Sequence, residues 1–160
     1  WAELNLETGN YALAFELLKN ALRLSEESQD VALNIWSLLL LGKGKLKARI
    51  SNWNLGNFSW EEIEKDLKNA LDKAESLQKP ELQWEISASL GDLYQAQRKY
   101  TSATKYYKKS VNVLREIYAK VPEEFRSLYL SEPKKMQLRK EITFLKEELK
   151  TQSKALAGVN

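Results

Sequence analysis

The 160-residue sequence contains no cysteine and no histidine. Without cysteine it can form neither a disulfide nor a thiolate metal site, which fits a reducing, cytoplasmic setting. Without histidine it lacks the usual general base and most zinc arrangements, so an enzyme built on it would depend on carboxylate, lysine or tyrosine chemistry. Proline (three) and glycine (six) are scarce, leaving little turn punctuation for a sheet protein. Long apolar runs are missing too. The longest, Ile35 to Leu41, is interrupted by Ser37 and falls far short of the roughly 20 residues that cross a bilayer. The following Gly42-Lys43-Gly44-Lys45 has neither the spacing nor the strand-before-helix setting of a phosphate loop. No catalytic, metal or cofactor site is expected.

What is present favours helix. Apolar residues make up 43% and charged residues 29% of the chain, a balance typical of folded protein, and Ala, Leu, Lys and Glu suit helices throughout. The net charge is +3. Residues 1–80 hold 10 Lys and Arg against 12 Asp and Glu, and residues 81–160 hold 15 against 10. Arg98, Lys99, Lys105, Lys108, Lys109 and Arg115 concentrate the basic charge. Acidic residues recur among them, so a solvated helix face outweighs a nucleic-acid-binding stripe.

Apolar spacing and capping residues divide the chain into helices with short connections, the pattern of antiparallel helical hairpins. Residues 1–8 read as the end of a helix, Gly9-Asn10 as a turn, and Tyr11 to Glu27 as an amphipathic helix. Asp30 can cap a long helix from Val31 to Leu55, interrupted by Gly42 and Gly44, where a kink or a close neighbour is expected. Ser59-Trp60-Glu61-Glu62 is a capping box opening a helix to Leu77. Pro80 opens one to Gln97, and Tyr100 begins another to Lys120. Val121-Pro122 breaks that helix, Glu123 to Leu130 is a short one, and Ser131 caps a last helix running to Ala155.

Three segments are similar to one another. Asn10-Tyr11-(x2)-Ala14-(x3)-Leu18-(x2)-Ala21-Leu22 aligns with Lys99-Tyr100-(x2)-Ala103-(x3)-Tyr107-(x2)-Ser110-Val111. Asn57-Phe58 with Ile63-(x3)-Leu67-(x2)-Ala70-Leu71 aligns with both if the turn holds two more residues. The small residue lets two helices approach, and the larger one four positions later fills the groove above it. Leu90-Gly91-(x2)-Tyr94, followed by Ala103, Tyr107 and Ser110, resembles the tetratricopeptide repeat family, with Ser87 where the signature tryptophan usually stands. In the first unit Trp1-Ala2 takes the place of Leu90-Gly91, as if the chain began inside a repeat. In the second, Ala48-Arg49 is matched to Leu-Gly. The long helices, spaced 49 and 40 residues apart at Ala14, Ile63 and Ala103, are similar to repeats in bacterial multidomain signalling and regulatory proteins.

The resemblance implies an all-α, right-handed superhelical stack with a concave face lined by the first helix of each unit. Its repeat region would span 1–130, as repeats 1–28, 30–78 and 80–120 and a short helix 122–130. Residues 131–160 would form a closing or linker helix. Leu138, Ile142, Leu145 and Leu149 make a seam too short for a persuasive coiled coil, which favours a cap folded onto the last hairpin. The implied function is a protein-interaction scaffold, part of a larger cytoplasmic signalling protein, that binds a partner segment or another domain of its own chain. A nucleic-acid-binding helical repeat is the alternative. Carried onto this register, the partner-binding candidates are Lys43, Lys47, Ile50 and Asn54 in the second unit and Glu85, Ser89, Asp92 and Gln95 in the third. The Lys and Asn set that clamps a terminal carboxylate in some family members is not reproduced, since Ala88 and Asp92 stand at its places. Trp36 and Trp53 are expected in the core and Trp60 partly exposed. The carboxylate pairs Glu61-Glu62 and Glu123-Glu124 fall at helix starts, where the helix dipole explains them without chemistry. A cut first repeat would expose apolar surface through which copies could associate.

Overall fold

The computed structural model describes residues 1–53 and 57–157, with side chains except at 148 and 152–157. It is an all-α helical-repeat fold, with no strand among the described residues. The helices are α1 (Ala2–Glu7), α2 (Tyr11–Glu27), α3 (Val31–Ile50), α4 (Trp60–Ser76), α5 (Pro80–Ala96) and α6 (Tyr100–Lys120), then a 3-10 turn (Glu123–Phe125), α7 (Arg126–Leu130) and α8 (Pro133–Ala157). Asp30 and Ser59 cap as expected, accepting from the N–H groups of Leu33 and Glu62. Sequential helices pack as hairpins, and α1, α3 and α5 also touch one another in turn. The first helices therefore line one side of the stack.

One turn chemistry closes helix after helix. Gly9, Gln29, Asn52, Gln78 and Arg98 each adopt a left-handed backbone. The next N–H donates back to the carbonyl five residues earlier: Asn10 to Asn5, Asp30 to Ser25, Trp53 to Ala48, Lys79 to Ala74 and Lys99 to Tyr94, at 2.8–2.9 Å. This bond satisfies a carbonyl that the helix end would otherwise leave unpaired, and it reverses the chain within three residues. Only Gly9 among the five avoids the steric cost of a side chain there.

That turn also ends α3 at Ile50, not at Leu55, because Asn52 takes the left-handed position. Gly42 and Gly44 lie inside α3 as sites of close approach. A methyl group on Gly42 would stand 2.6 Å from Leu67 Cδ2, one on Gly44 would stand 2.7 Å from Leu6 Cδ2, and one on Gly91 would collide with the Tyr107 ring. Since Leu67 and Tyr107 are equivalent positions, Gly42 is the counterpart of Gly91, and it lies as far into α3 as Gly91 lies into α5. Leu41-Gly42-(x2)-Lys45 thus matches Leu90-Gly91-(x2)-Tyr94, correcting the register that placed Ala48-Arg49 there. The extra length of the second unit follows the glycine: α3 has 20 residues against 17 in α5, and residues 51–59, in place of 97–99, separate it from its partner.

The main core joins Ile35, Leu39, Ile63, Leu67, Ile86, Leu90, Leu93 and Tyr107, and a smaller one joins Leu6, Tyr11, Ala14, Phe15 and Leu18. Trp53 packs at the edge of the smaller core, its ring 5.4 Å from Tyr11 and 5.8 Å from Phe15. Lys45 is 8% exposed. Its ammonium reaches Glu62 at 2.5 Å and Asp66 at 2.7 Å, tying α3 to α4. Burial opposes that charge, but the two carboxylates raise the pKa overall. The last helix α8 buries Leu138 and Leu145 in the main core, with Ile142 and Leu149 half-buried beside them, and it packs on α5 and α6. Ser131 does not cap α8. It closes α7 instead, its hydroxyl donating to the Leu128 carbonyl.

Candidate functional site: the concave face and its occupant

The corrected register places Glu3, Lys43 and Asp92 at equivalent positions on α1, α3 and α5, and Trp36 and Glu85 at another equivalent pair. All five face the inner side. Lys43 Nζ donates to Glu85 Oε1 at 3.0 Å. Lys134, in the first turn of α8, donates to the same oxygen at 3.0 Å and lies 3.1 Å from Glu3 Oε1. Its ammonium also stands over the Trp36 indole, 5.2 Å from the ring centroid. Glu85 is 6% exposed, so its charge is stabilised by these two ammonium groups and hardly by water. Burial lowers the Lys134 pKa, but Glu85 and Glu3 outweigh it and the net shift is upward.

Trp36 is therefore not a core residue. It is 36% exposed, because the register sets it on the inner face opposite Glu85, where an aromatic face attracts a cation.

Further along α5, Asp92 Oδ1 accepts from the Tyr107 hydroxyl at 2.6 Å, and Gln95 Oε1 accepts more weakly from the same hydroxyl at 3.3 Å. Gln95 Nε2 donates to Glu141 of α8 at 2.8 Å. Burial pushes the Asp92 carboxyl up to about 6, against the hydrogen bond from Tyr107, and the Glu141 charge adds to the rise. Burial and the Asp92 charge together raise the Tyr107 pKa strongly.

The eight candidate residues thus divide. Lys43 and Glu85 meet one another, and Asp92 and Gln95 meet Tyr107 and, through Gln95, α8. Ser89 is buried with its hydroxyl bonded to the Glu85 carbonyl within α5. Lys47 turns toward α1 and donates to the Leu6 carbonyl at 3.1 Å. Ile50 is 59% exposed and lines a separate cleft of about 680 Å³ with Arg49, Trp53 and Trp60. Asn54 lies outside the described residues. Sequence reasoning missed Glu3, Trp36, Lys134 and Glu141. Trp36 could have been found by matching Gly42 to Gly91. No local signal in the sequence ties Lys134 to residues on three other helices.

No cluster of His, Cys, Asp or Glu suited to a metal occurs among the described residues, and no described helix is long and apolar enough to cross a membrane. Residues 88–120, covering the second half of α5 and all of α6, match the family model of the tetratricopeptide repeat. The chain contains a tetratricopeptide repeat. No curated protein and no solved structure matches the chain. The tetratricopeptide repeat is a non-catalytic module that mediates protein–protein interaction. Here it pairs the Gly91–Tyr107 contact with polar groups of α5 that face α8.

Proposed function

We propose that the chain is a non-enzymatic interaction scaffold whose concave face binds a segment of a partner protein or of a neighbouring domain in a larger cytoplasmic regulatory protein. The observation that carries this reading is the inner face of α5, where Glu85 and Gln95 already bind a helix from outside their own hairpin through side-chain contacts at 2.8–3.0 Å. A face that recognises one helix has the shape and polar groups to recognise another. Chemical crosslinking of the chain to a captured partner, repeated with Lys43, Glu85 and Gln95 all substituted by alanine, tests it. Capture should fall sharply in the variant, provided its helical content is unchanged. Undiminished capture removes the groove assignment.

A basic cleft between α6 and α8 favours a second reading, binding of a nucleic-acid backbone. Lys108, Arg115 and Lys146 line it with Val111, Ile142 and Leu145. Binding that drops steeply with salt supports this reading, and no binding at low salt excludes it.

A further inference from the structure

Part of the face lined by α1, α3 and α5 is already covered by α8. Lys134 reaches across α1, α3 and α5, contacting Glu3, Trp36 and Glu85, while Glu141 takes the Gln95 amide further along. Resting on the groove reading above, we propose that α8 is a displaceable occupant of this face, and that the partner replacing it is an amphipathic helix presenting a lysine or arginine to the cage of Glu3, Trp36 and Glu85.

The charge balance argues for a cation. With α8 in place, two carboxylates, Glu3 and Glu85, face two ammonium groups, Lys43 and Lys134. When α8 leaves, Lys43 alone remains. The nearly buried Glu85 then keeps one partner of two, Glu3 keeps none of this cluster, and the Trp36 face loses its cation. A second basic side chain restores all three contacts. A neutral or acidic one leaves a poorly solvated carboxylate undercompensated.

The attachment of α8 suits exchange. Its inward seam is Leu138, Ile142, Leu145 and Leu149, and only Leu138 and Leu145 are fully buried. The opposite side leaves Met136 and Phe144 about half exposed. No backbone ladder binds α8 to the stack, so its hold rests on side chains: that seam, the Lys134 cluster, the Gln95–Glu141 bond and the buried Lys135, whose ammonium lies over the rings of Trp84 and Tyr129. A partner helix with a basic residue four positions before the first of four apolar residues, spaced as in α8, reproduces the seam and the Lys134 cluster, and a carboxylate or amide seven positions after that basic residue would take the Gln95 amide.

The test uses the full chain and, as probe, a labelled synthetic peptide of residues 131–150, followed by fluorescence anisotropy. The Lys134→Gln chain should bind this peptide about tenfold more tightly than the unaltered chain does, because its own helix is held less firmly. A peptide carrying Lys134→Gln should lose most of that gain. Glu3→Gln, a change at a half-exposed position that spares the fold, should narrow the discrimination between the two peptides. Equal binding of the two peptides to the Lys134→Gln chain, or no binding of either, overturns the proposal. The groove reading fails separately, through undiminished partner capture by the alanine variant.

Discussion

Glu85 on α5 and Lys134 on α8, 49 residues apart in the chain, form an ion pair at 3.0 Å, with Lys43 on α3 bonded to the same carboxylate oxygen. A single nearly buried acid therefore joins three helices. Glu85→Ala should lower stability by about 1–3 kcal/mol, since it removes the partner of two half-buried ammonium groups. Urea denaturation measures this. The more specific expectation is faster amide exchange in the first turns of α8, and unchanged exchange there would contradict the described role of the pair.

Gly91 permits the contact that defines the third repeat. Gly91→Ala drives a methyl group into the Tyr107 ring, and the repacking should cost about 1–3 kcal/mol. Tyr107 also anchors Asp92, so replacing it has its own cost. In a double-mutant cycle, Gly91→Ala should therefore cost less in a Tyr107→Leu background than alone. Additive effects would mean that the two residues do not collide.

Gln78 holds a left-handed conformation, φ 50°, at the turn between α4 and α5. Its backbone N–H donates to the Glu75 carbonyl, and glycine keeps that bond without the steric cost. Gln78→Gly should raise stability by about 0.5–1 kcal/mol, after allowance for glycine's greater freedom in the unfolded chain. A thermal melt that moves downward contradicts it.

Asp92 links stability to pH. Its carboxyl is raised from 3.8 to about 6, so between those values the unfolded chain releases a proton that the folded chain keeps. The contribution of this residue to stability therefore falls as pH rises through that window. Asp92→Asn stays neutral and can still accept from Tyr107. The stability of the variant relative to the parent should climb across the window and level off on either side. Denaturation midpoints at several pH values measure the difference, and a flat difference rules out the raised carboxyl.

Much of the helical order could be read locally. Asp30, Ser59 and Pro80 announce helix starts through groups that act within one turn, so α3, α4 and α5 begin where expected. The end of α3 was less legible. It depends on Asn52 accepting a left-handed conformation, and no glycine marks that position. The register of the second unit was misread for a related reason: Ala48-Arg49 lies the same distance before its turn as Leu90-Gly91 does, whereas the true counterpart, Gly42, matches Gly91 in its distance from the helix start and in the large side chain packed against it. Lys43 stayed among the groove residues under either register, but Lys47 and Ile50 did not gather with it.

The sequence by itself determined an all-helical chain of hairpins and the Leu90-Gly91-(x2)-Tyr94 unit with its Ala103 and Tyr107, because periodicity, capping and the pairing of small with large residues act over a few turns. Tertiary structure alone decided which side chains share the concave face and what lies on it. Glu3, Trp36, Glu85 and Lys134 are distant in the chain and meet only because stacking sets α1, α3 and α5 side by side and α8 folds back on them. Long-range packing and charge pairing of that kind leave no local periodic trace.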